Sequence, residues 1–451
     1  MKTIPNISPT LHTKANESEG VRSSNLSSRD IRGRDVVIIN PYCEGGGDEA
    51  LAKKIANIAL GEGCRVTISS LDTSYNNIDD HYQKYQSYSL QNEEPHNISQ
   101  YNDPLFIIAP VGISDIGDLR SHLKNMCDEF NFPKNSAILI EEMDLLASAS
   151  QKLINYEAML ESLGFNNVST NRLGFSDGAI GYIPTDEKII NEIKDRFEGE
   201  LIRLLDSYNM SLSGDNSYHL GYISSDCYVS GTQVFIANTL CETIEDERSA
   251  CFIMSLRQLQ PHRTPVVVNA IANTLATESK EFDYPSLFSK ATVMVINSDS
   301  GDVEGHKEIT GDGTKEVKII LINKLPKNIF DDFMLLADTG MTSGDQSFSE
   351  YLTLKETLPY YDMQPWKSPM VESIKSLGGL ELENHLNNKI VGRMPFSGSI
   401  TRSFIRNVTQ PTLTPEQLMK KSELDKKISS YIATPHIREL ISSKLKISYK
   451  Q

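Results

Sequence analysis

The sequence predicts an α/β protein built of two tandem units, each a parallel sheet covered by helices on both faces. Three observations predict it. Short apolar runs alternate with stretches of helical spacing through residues 35–209. A polar stretch, MSLSGDNS at 210–217, then breaks the alternation. A second alternating series follows it, and strands alternating with helices pair most readily in parallel. At 451 residues the chain exceeds one ordinary core and suits two domains with appendages.

Residues 1–34 are rich in Ser, Asn, Thr and charge without apolar periodicity, which predicts a disordered leader. DVVIIN (35–40) predicts the first strand. EALAKKIANIALGEG (49–63) sets Leu51, Ile55, Ile58 and Ala59 on one helical face, with Gly61 and Gly63 as stop signals. CRVTISSL (64–71) predicts a strand, and 74–102, polar and aromatic without period, predicts a long loop. LFIIAPVG (105–112) and SAILIEEMD (136–144) predict strands around the helical DLRSHLKNMCDEF. QKLINYEAMLESLGF (151–165) predicts a helix, GAIGYIP (178–184) a short strand, and the segment from Thr185 a long capped helix. In the second series YHLGYIS, PVVVNAI, ATVMVIN, VKIILIN, DTGMTS and LPYY predict strands; QVFIANTLCETI, NIFDDFMLLAD and the segment opening at Asp345 predict helices. The polar tail predicts two helices, at 415–431 and 435–446. The expected domains are therefore a leader at 1–34, units at 35–212 and 213–385, and a helical tail at 386–451.

Composition excludes several classes. The formal charge is −16 and the pI about 5.1, with no basic tract, which argues against nucleic acid and anionic membranes as partners. No apolar stretch approaches the roughly 18 residues of a membrane span. The N-terminus has no apolar signal-peptide core. Cys43, Cys64, Cys127, Cys227, Cys241 and Cys251 lack CxxC spacing and read as free thiols, and the nine histidines form no HxxxH or HxH pair, so no metal site is expected.

CEGGGDEA (43–50) follows the first strand. Gly45 to Ala50 formally fits G-x-G-x-x-A, with Asp72 placed as a ribose acid, which is the dinucleotide fingerprint. A pyrophosphate there would meet Asp48 and Glu49, and like charges repel. On the other reading, Gly45, Gly46 and Gly47 let the loop approach a substrate, Asp48 sits where the helix dipole favours a carboxylate, and Glu44 or Asp48 acts as general base. Helix capping alone also explains the two acids after the glycines.

The second stretch is DTGMTSGDQSFSE (338–350). It predicts a short strand, a turn at Gly344 and a helix whose first amides, at Asp345, Gln346 and Ser347, face a phosphate. Glu350, one turn on, is placed to reach ribose hydroxyls. A capping box between Ser347 and Glu350 accounts for the same residues.

Together these two loops resemble those of GT-B glycosyltransferases, in which two Rossmann-like domains face each other across a cleft. The run from Gly344 to Ser347 followed by Glu350 is similar to the donor-phosphate and ribose motif of many such enzymes, including the peptidoglycan N-acetylglucosaminyltransferase. A closer likeness is to the bacterial protein-arginine rhamnosyltransferase family: Glu44 and Asp48 match its two N-terminal acids, and Gly344-Asp345-Gln346-Ser347-Phe348 matches its C-terminal loop. The chain departs from that family in having Glu44 for Asp and Gln346 for the loop's second acid. The resemblance implies an inverting, metal-independent transfer of sugar from a nucleotide-diphosphate-sugar to an acceptor, a protein side chain among the choices. It implies no resident cofactor, with Asp48 as base, Glu44 and Asp345 completing the catalytic set, and Gly344, Gln346, Ser347, Glu350, Tyr222 and Asn323 binding the donor.

Other residues carry two readings each. Tyr218, His219 and Tyr222 lie on the first strand of the second unit, as core or as cleft groups. Lys324 beside Asn323 is a donor contact or a solvated charge; Glu141, Glu142 and Asp144 bind acceptor or form an acidic loop; Trp366 packs at a crossing between domains or stacks on sugar. Three rival functions stay open: a GT-B nucleotide-sugar epimerase using His219 or His262, an NAD-linked oxidoreductase using the first glycine loop, and a non-catalytic adaptor. The expected location is the cytoplasm, or another cell reached by a non-classical export route.

Overall fold

The computed structural model describes residues 34–392 apart from 43–45, 73–82, 89–96, 113–115, 144–146, 177–178, 180, 186, 209, 279–282, 356–357, 364–366 and 377–388. The predicted leader, apart from the buried Arg34 at its end, and both predicted tail helices lie outside the described residues.

The first unit runs β1 (Asp35–Tyr42), α1 (Gly46–Gly61), β2 (Arg65–Asp72), β3 (Gln83–Tyr88), β4 (Leu105–Val111), α2 (Ile116–Phe130), β5 (Ser136–Glu141), α3 (Ala147–Ser162) and β6 (Asn167–Arg172); α4 (Glu187–Ser207) follows, and its Leu201 and Leu205 pack with Leu220, Ile320 and Phe333 of the second unit. Its sheet has the order β3-β2-β1-β4-β5-β6, parallel except for β3 at one edge. Successive residues of β1 point to opposite faces. Val36 and Ile38 enter the core under α1, while Val37 and Ile39 enter the core with Leu119, Leu123 and Leu160. Burial on both faces is why DVVIIN reads as an unbroken apolar run.

The second unit runs β7 (Asn216–Ile223), α5 (Tyr228–Glu242), β8 (Ser249–Leu256), α6 (Thr264–Leu275), β9 (Phe288–Ile296), β10 (Val303–Thr310), β11 (Lys315–Ile322), α7 (Lys327–Leu336), β12 (Thr339–Ser343), α8 (Asp345–Lys355), β13 (Tyr360–Met363) and β14 (Ile390–Gly392). Its sheet has the order β10-β9-β11-β8-β7-β12-β13-β14, with only β10 antiparallel. The molecule is therefore two α/β units of the Rossmann-like kind, as the alternation predicts.

Four local expectations are corrected. PVVVNAI belongs to α6, not to a strand: Thr264, Val267, Val268, Ile271, Ala272 and Leu275 are buried at helical spacing, and packing overrides the β-branched run. The strand in that part of the sheet is SACFIMSL, buried after its first residue. Among its described residues GAIGYIP contributes a bridge from Gly181 to Gly174, and the sixth strand is the polar NVSTNR of β6. The segment expected as a long loop contributes β3. Edge strands such as β3, β6 and the half-exposed β10 are held by backbone pairing, so they carry little apolar signal. Thr185 does not cap α4: the helix starts at Glu187, and the Thr185 hydroxyl has no hydrogen-bond partner.

The two units share one apolar core. Phe348 and Leu352 of α8, Leu358, Tyr361 and the helical residues Met370, Val371 and Ile374 pack into the cluster that holds Val36, Leu51, Ile55 and Ile107 of the first unit. Ile374→Ala removes a buried side chain from this seam and is expected to cost about 2–5 kcal/mol of stability, measured by urea unfolding.

Candidate active site

The first sheet reverses strand order between β1 and β4, and the second does so between β7 and β12. In open parallel sheets, ligands bind beyond the carboxyl ends of the strands at such a reversal. Gly344 (φ +83°) joins β12 to α8 in a single left-handed residue, a conformation that favours glycine. The turn brings the first, intrahelically unpaired amides of α8 to the sheet edge. The start of α1 lies directly opposite: a Cβ at Gly47 would sit 3.5 Å from the Gln346 Cγ. The start of α1 and the turn before α8, about three hundred residues apart in sequence, are thus brought together.

The predicted residues distribute as follows. Glu44 and Gly45 lie outside the described residues. Gly46 and Gly47 open α1, and Asp48 stands in its first turn, with its backbone carbonyl accepting from the Asn40 amide at 3.0 Å. Asp345 accepts a charged hydrogen bond from Lys367 at 2.8 Å, and Gln346 Oε1 faces Lys54 Nζ at 3.4 Å. Ser347 donates back to the carbonyl of Ser343 at 2.7 Å. Glu350 is buried between Lys327 (3.1 Å) and Lys54 (3.7 Å), so its carboxylate answers lysines from both units and forms no capping box with Ser347. Tyr222 packs edge-on against Phe330, and burial raises its hydroxyl pKa despite a bond from Arg257. Asn323 follows β11 directly, and its side-chain carbonyl oxygen is shielded from solvent without a hydrogen-bond partner.

Lys367 joins the two units electrostatically. Its ammonium is buried, donates to Asp345 and to the Met143 carbonyl (3.0 Å), and lies 3.7 Å from Glu142 at the end of β5. Burial works against its charge, but Asp345 and Glu142 outweigh it, with Asp48 adding to the effect, and hold the group above the ordinary lysine range. Burial pushes the Glu142 carboxyl up, Lys367 opposes this, and Asp345 adds to it. Burial likewise pushes Lys54 down, only partly countered by Glu350. Carboxylates from two sheets therefore converge on one cation, a charge-dense pocket in a low-dielectric setting.

Sequence reasoning missed a second network. Asp362, at the carboxyl end of β13, accepts from Ser343 Oγ (2.8 Å), Ser225 Oγ (2.9 Å) and the Ser225 amide (3.3 Å), and Ser224 Oγ lies 2.6 Å from Ser343 Oγ. The available signal was an acid closing the apolar run LPYY at a strand's carboxyl end. The Tyr361 hydroxyl, buried beside Asp345, Asp362 and Glu142, has no hydrogen-bond partner and is pushed well above its usual pKa, chiefly by burial.

The other candidates separate. His219 sits within the sheet, bonded to Thr339 (2.9 Å) and Ser217 (3.1 Å), and burial pushes it down to about 3, so it is a neutral packing group. The Tyr218 hydroxyl donates to the Ser211 carbonyl at 2.5 Å, and Glu141 pairs with Arg172 at 2.7 Å. Asp144 and Trp366 lie outside the described residues. Among those residues no helix is long and apolar enough to cross a membrane.

No family model matches the chain, and no curated protein matches it. Among solved structures it is similar to an α,α-trehalose 6-phosphate synthase from Burkholderia multivorans, with 10% identity over 92% of this chain and 99% of that one and a TM-score of 0.45. It is similar to a UDP-GlcNAc 2-epimerase from Neisseria meningitidis bound to UDP-GlcNAc, with 10% identity, 91% and 99% coverage and a TM-score of 0.42. It is also similar to MurG from Acinetobacter baumannii, with 9% identity, 92% and 99% coverage and a TM-score of 0.42. At these identities and scores they assign neither an activity nor a residue role to this chain.

Lys367→Met leaves Asp345 and Glu142 facing each other without their cation, and is expected to cost about 3–5 kcal/mol near neutral pH. Without the lysine, the folded-state pKa of Glu142 rises further above its ordinary 4.5, so the folded variant binds a proton that the unfolded chain lacks. The deficit therefore shrinks as pH falls through that raised value toward 4.5, which denaturant melts across pH will follow.

Proposed function

We propose that the protein is a glycosyltransferase of the GT-B type, moving a sugar from a nucleotide-diphosphate-sugar to an acceptor in the cleft between the two strand-order reversals. The observation that carries this reading is the meeting of α1 and α8, whose amino ends bring Asp48 and the Gly344–Ser347 turn to one place. In this reading the second unit holds the donor. The diphosphate lies on the amides of Asp345, Gln346 and Ser347, where the helix dipole stabilises the charge that develops as it leaves. The orphan Asn323 oxygen is suited to a base N–H, and Tyr222 borders the same edge. Glu350 reaches a ribose only by giving up Lys54 or Lys327.

The first unit receives the acceptor. Gly45, Gly46 and Gly47 leave room, Asp48 takes the acceptor proton, and Glu44 and Asp345 orient the reacting groups. Transfer in one displacement with inversion follows from a base on one side of the sugar and a leaving group on the other, and independence of a metal is what the resemblance to GT-B enzymes implies. An acceptor carried on a protein side chain fits the same arrangement. A second reading, a catalytically silent module, is favoured by one observation: Asp345, Gln346 and Glu350 already hold lysines.

Calorimetry with UDP-, GDP- and dTDP-linked sugars is expected to find one that binds. Asp48→Asn is expected to keep that affinity while lowering turnover to free nucleotide by about 10²–10⁴-fold. Binding of NAD with no nucleotide-sugar sinks the proposal, and binding of no nucleotide favours the silent module.

A further inference from the structure

The seam between the units gathers more acid than base around Lys367. Asp345 of α8 and Glu142 at the end of β5 share its ammonium, and Asp48 adds a further negative charge facing it. Asp345 takes the cation at 2.8 Å, whereas Glu142 Oε2 stands 3.7 Å from it, too far for a hydrogen bond. Glu142 Oε2 is shielded from solvent and has no hydrogen-bond partner. The Tyr361 hydroxyl, beside Asp345 and Glu142, has none either; that side chain is 2% exposed, and its ring packs edge-on against Phe348 near the start of α8. A buried donor without an acceptor points the same way as the free amides of α8, toward an anion. A shielded carboxylate oxygen without a donor favours the neutral acid. The other groups facing Glu142 bring no relief: Glu141 is negative and pairs with Arg172 at 2.7 Å, and Tyr361 is neutral and lies near Asp362.

A diphosphate on the amides of Asp345, Gln346 and Ser347 adds negative charge to this set and brings no cation. The acid least well held is Glu142. We propose that Glu142 takes up one proton when the diphosphate of a nucleotide-sugar settles on the amino end of α8, so that donor and proton bind together. The proton comes from solvent, neutralises the oxygen that lacks a donor, and leaves the charge of Lys367 to Asp345 beside the phosphates. The inference rests on the reading of the second unit as a nucleotide-sugar site and adds its regulation, an affinity governed by pH. Glu142 acts through Lys367 and Asp345 and is therefore a positioning residue. Burial already holds the Glu142 carboxyl above its ordinary 4.5, and the diphosphate raises it further. Below the raised value of the free protein, Glu142 is protonated with or without donor, and affinity does not change with pH. Between the free and bound values the complex holds the extra proton, so affinity falls as pH rises, by at most about tenfold per pH unit. Above the bound value affinity is again flat, at its lower level.

Calorimetry of the nucleotide-sugar that binds, between about pH 5 and about pH 9 in paired buffers of different ionisation heat, reads the protons taken up per donor bound. A nucleotide-sugar suits this because its diphosphate is esterified at both ends and lacks the terminal phosphate that titrates near about pH 6. Wild type is expected to take up about half a proton or more at the maximum, the uptake reached when the carboxyl moves by about one pH unit or more, with affinity falling through the same range. Glu142→Gln keeps the neutral form and is expected to abolish the uptake and the pH dependence. Asp345→Asn removes the acid that shares Lys367, so the uptake is expected to move to lower pH. Absence of uptake in wild type overturns the inference, as does uptake that Glu142→Gln leaves in place. If Glu142→Gln does not fold, an uptake range that Asp345→Asn fails to lower overturns it. A wild type that binds no nucleotide-sugar of the panel overturns the function and the inference together, whereas binding without proton uptake overturns the inference alone.

Discussion

The charge contact between Lys367 and the acids of both units is the constraint on which the site depends. Asp345 opens a helix of the second unit, and Glu142 and Met143 close a strand of the first. Two carboxylates brought this close in a low-dielectric seam would repel, and separate domains give no reason for them to meet. One buried ammonium makes the meeting tolerable. It arrives on the segment that leaves the second sheet after β13 and then packs Met370, Val371 and Ile374 into the first unit's core. The apolar seam holds the halves together, and the lysine decides which polar edges face each other.

Parallel sheets explain why these polar groups gather at one edge. Every parallel strand ends on the same side, and every following helix begins there with unpaired amides. Two such sheets with their edges opposed place two amino-terminal helix ends and their acids in a single cleft. A second ionic set, Lys54 and Lys327 around Glu350, ties α1 to α7 and α8 at the same place. Internal lysines thus already pair Asp345, Gln346 and Glu350, which ties these polar edges to the packing of the two units.

Much of the fold was legible because buried parallel strands must be apolar on both faces. DVVIIN, LFIIAPVG and VKIILIN announced themselves for that reason. The polar β6 and β10 and the β3 edge did not, since backbone pairing holds them and β6 and β10 are partly exposed. PVVVNAI misled because its residue types favour strands while its buried positions follow a helix. Gly344 and the helix opening at Asp345 were legible from turn and cap chemistry. The partners of Asp345 and Glu350 were not, because Lys367, Lys54 and Lys327 are set by tertiary approach.

By itself the sequence determined the tandem α/β order, the turn at Gly344 and the acids at the starts of α1 and α8, because strand periodicity, left-handed turns and helix starts are local properties. Only the tertiary structure decided that Gly47 would face Gln346, that one lysine would join acids from two units, and that Asp362 would accept from Ser225 and Ser343. Those contacts join residues far apart in the chain, and the side chains' own chemistry leaves their partners open. The packing of one sheet edge against the other selects them.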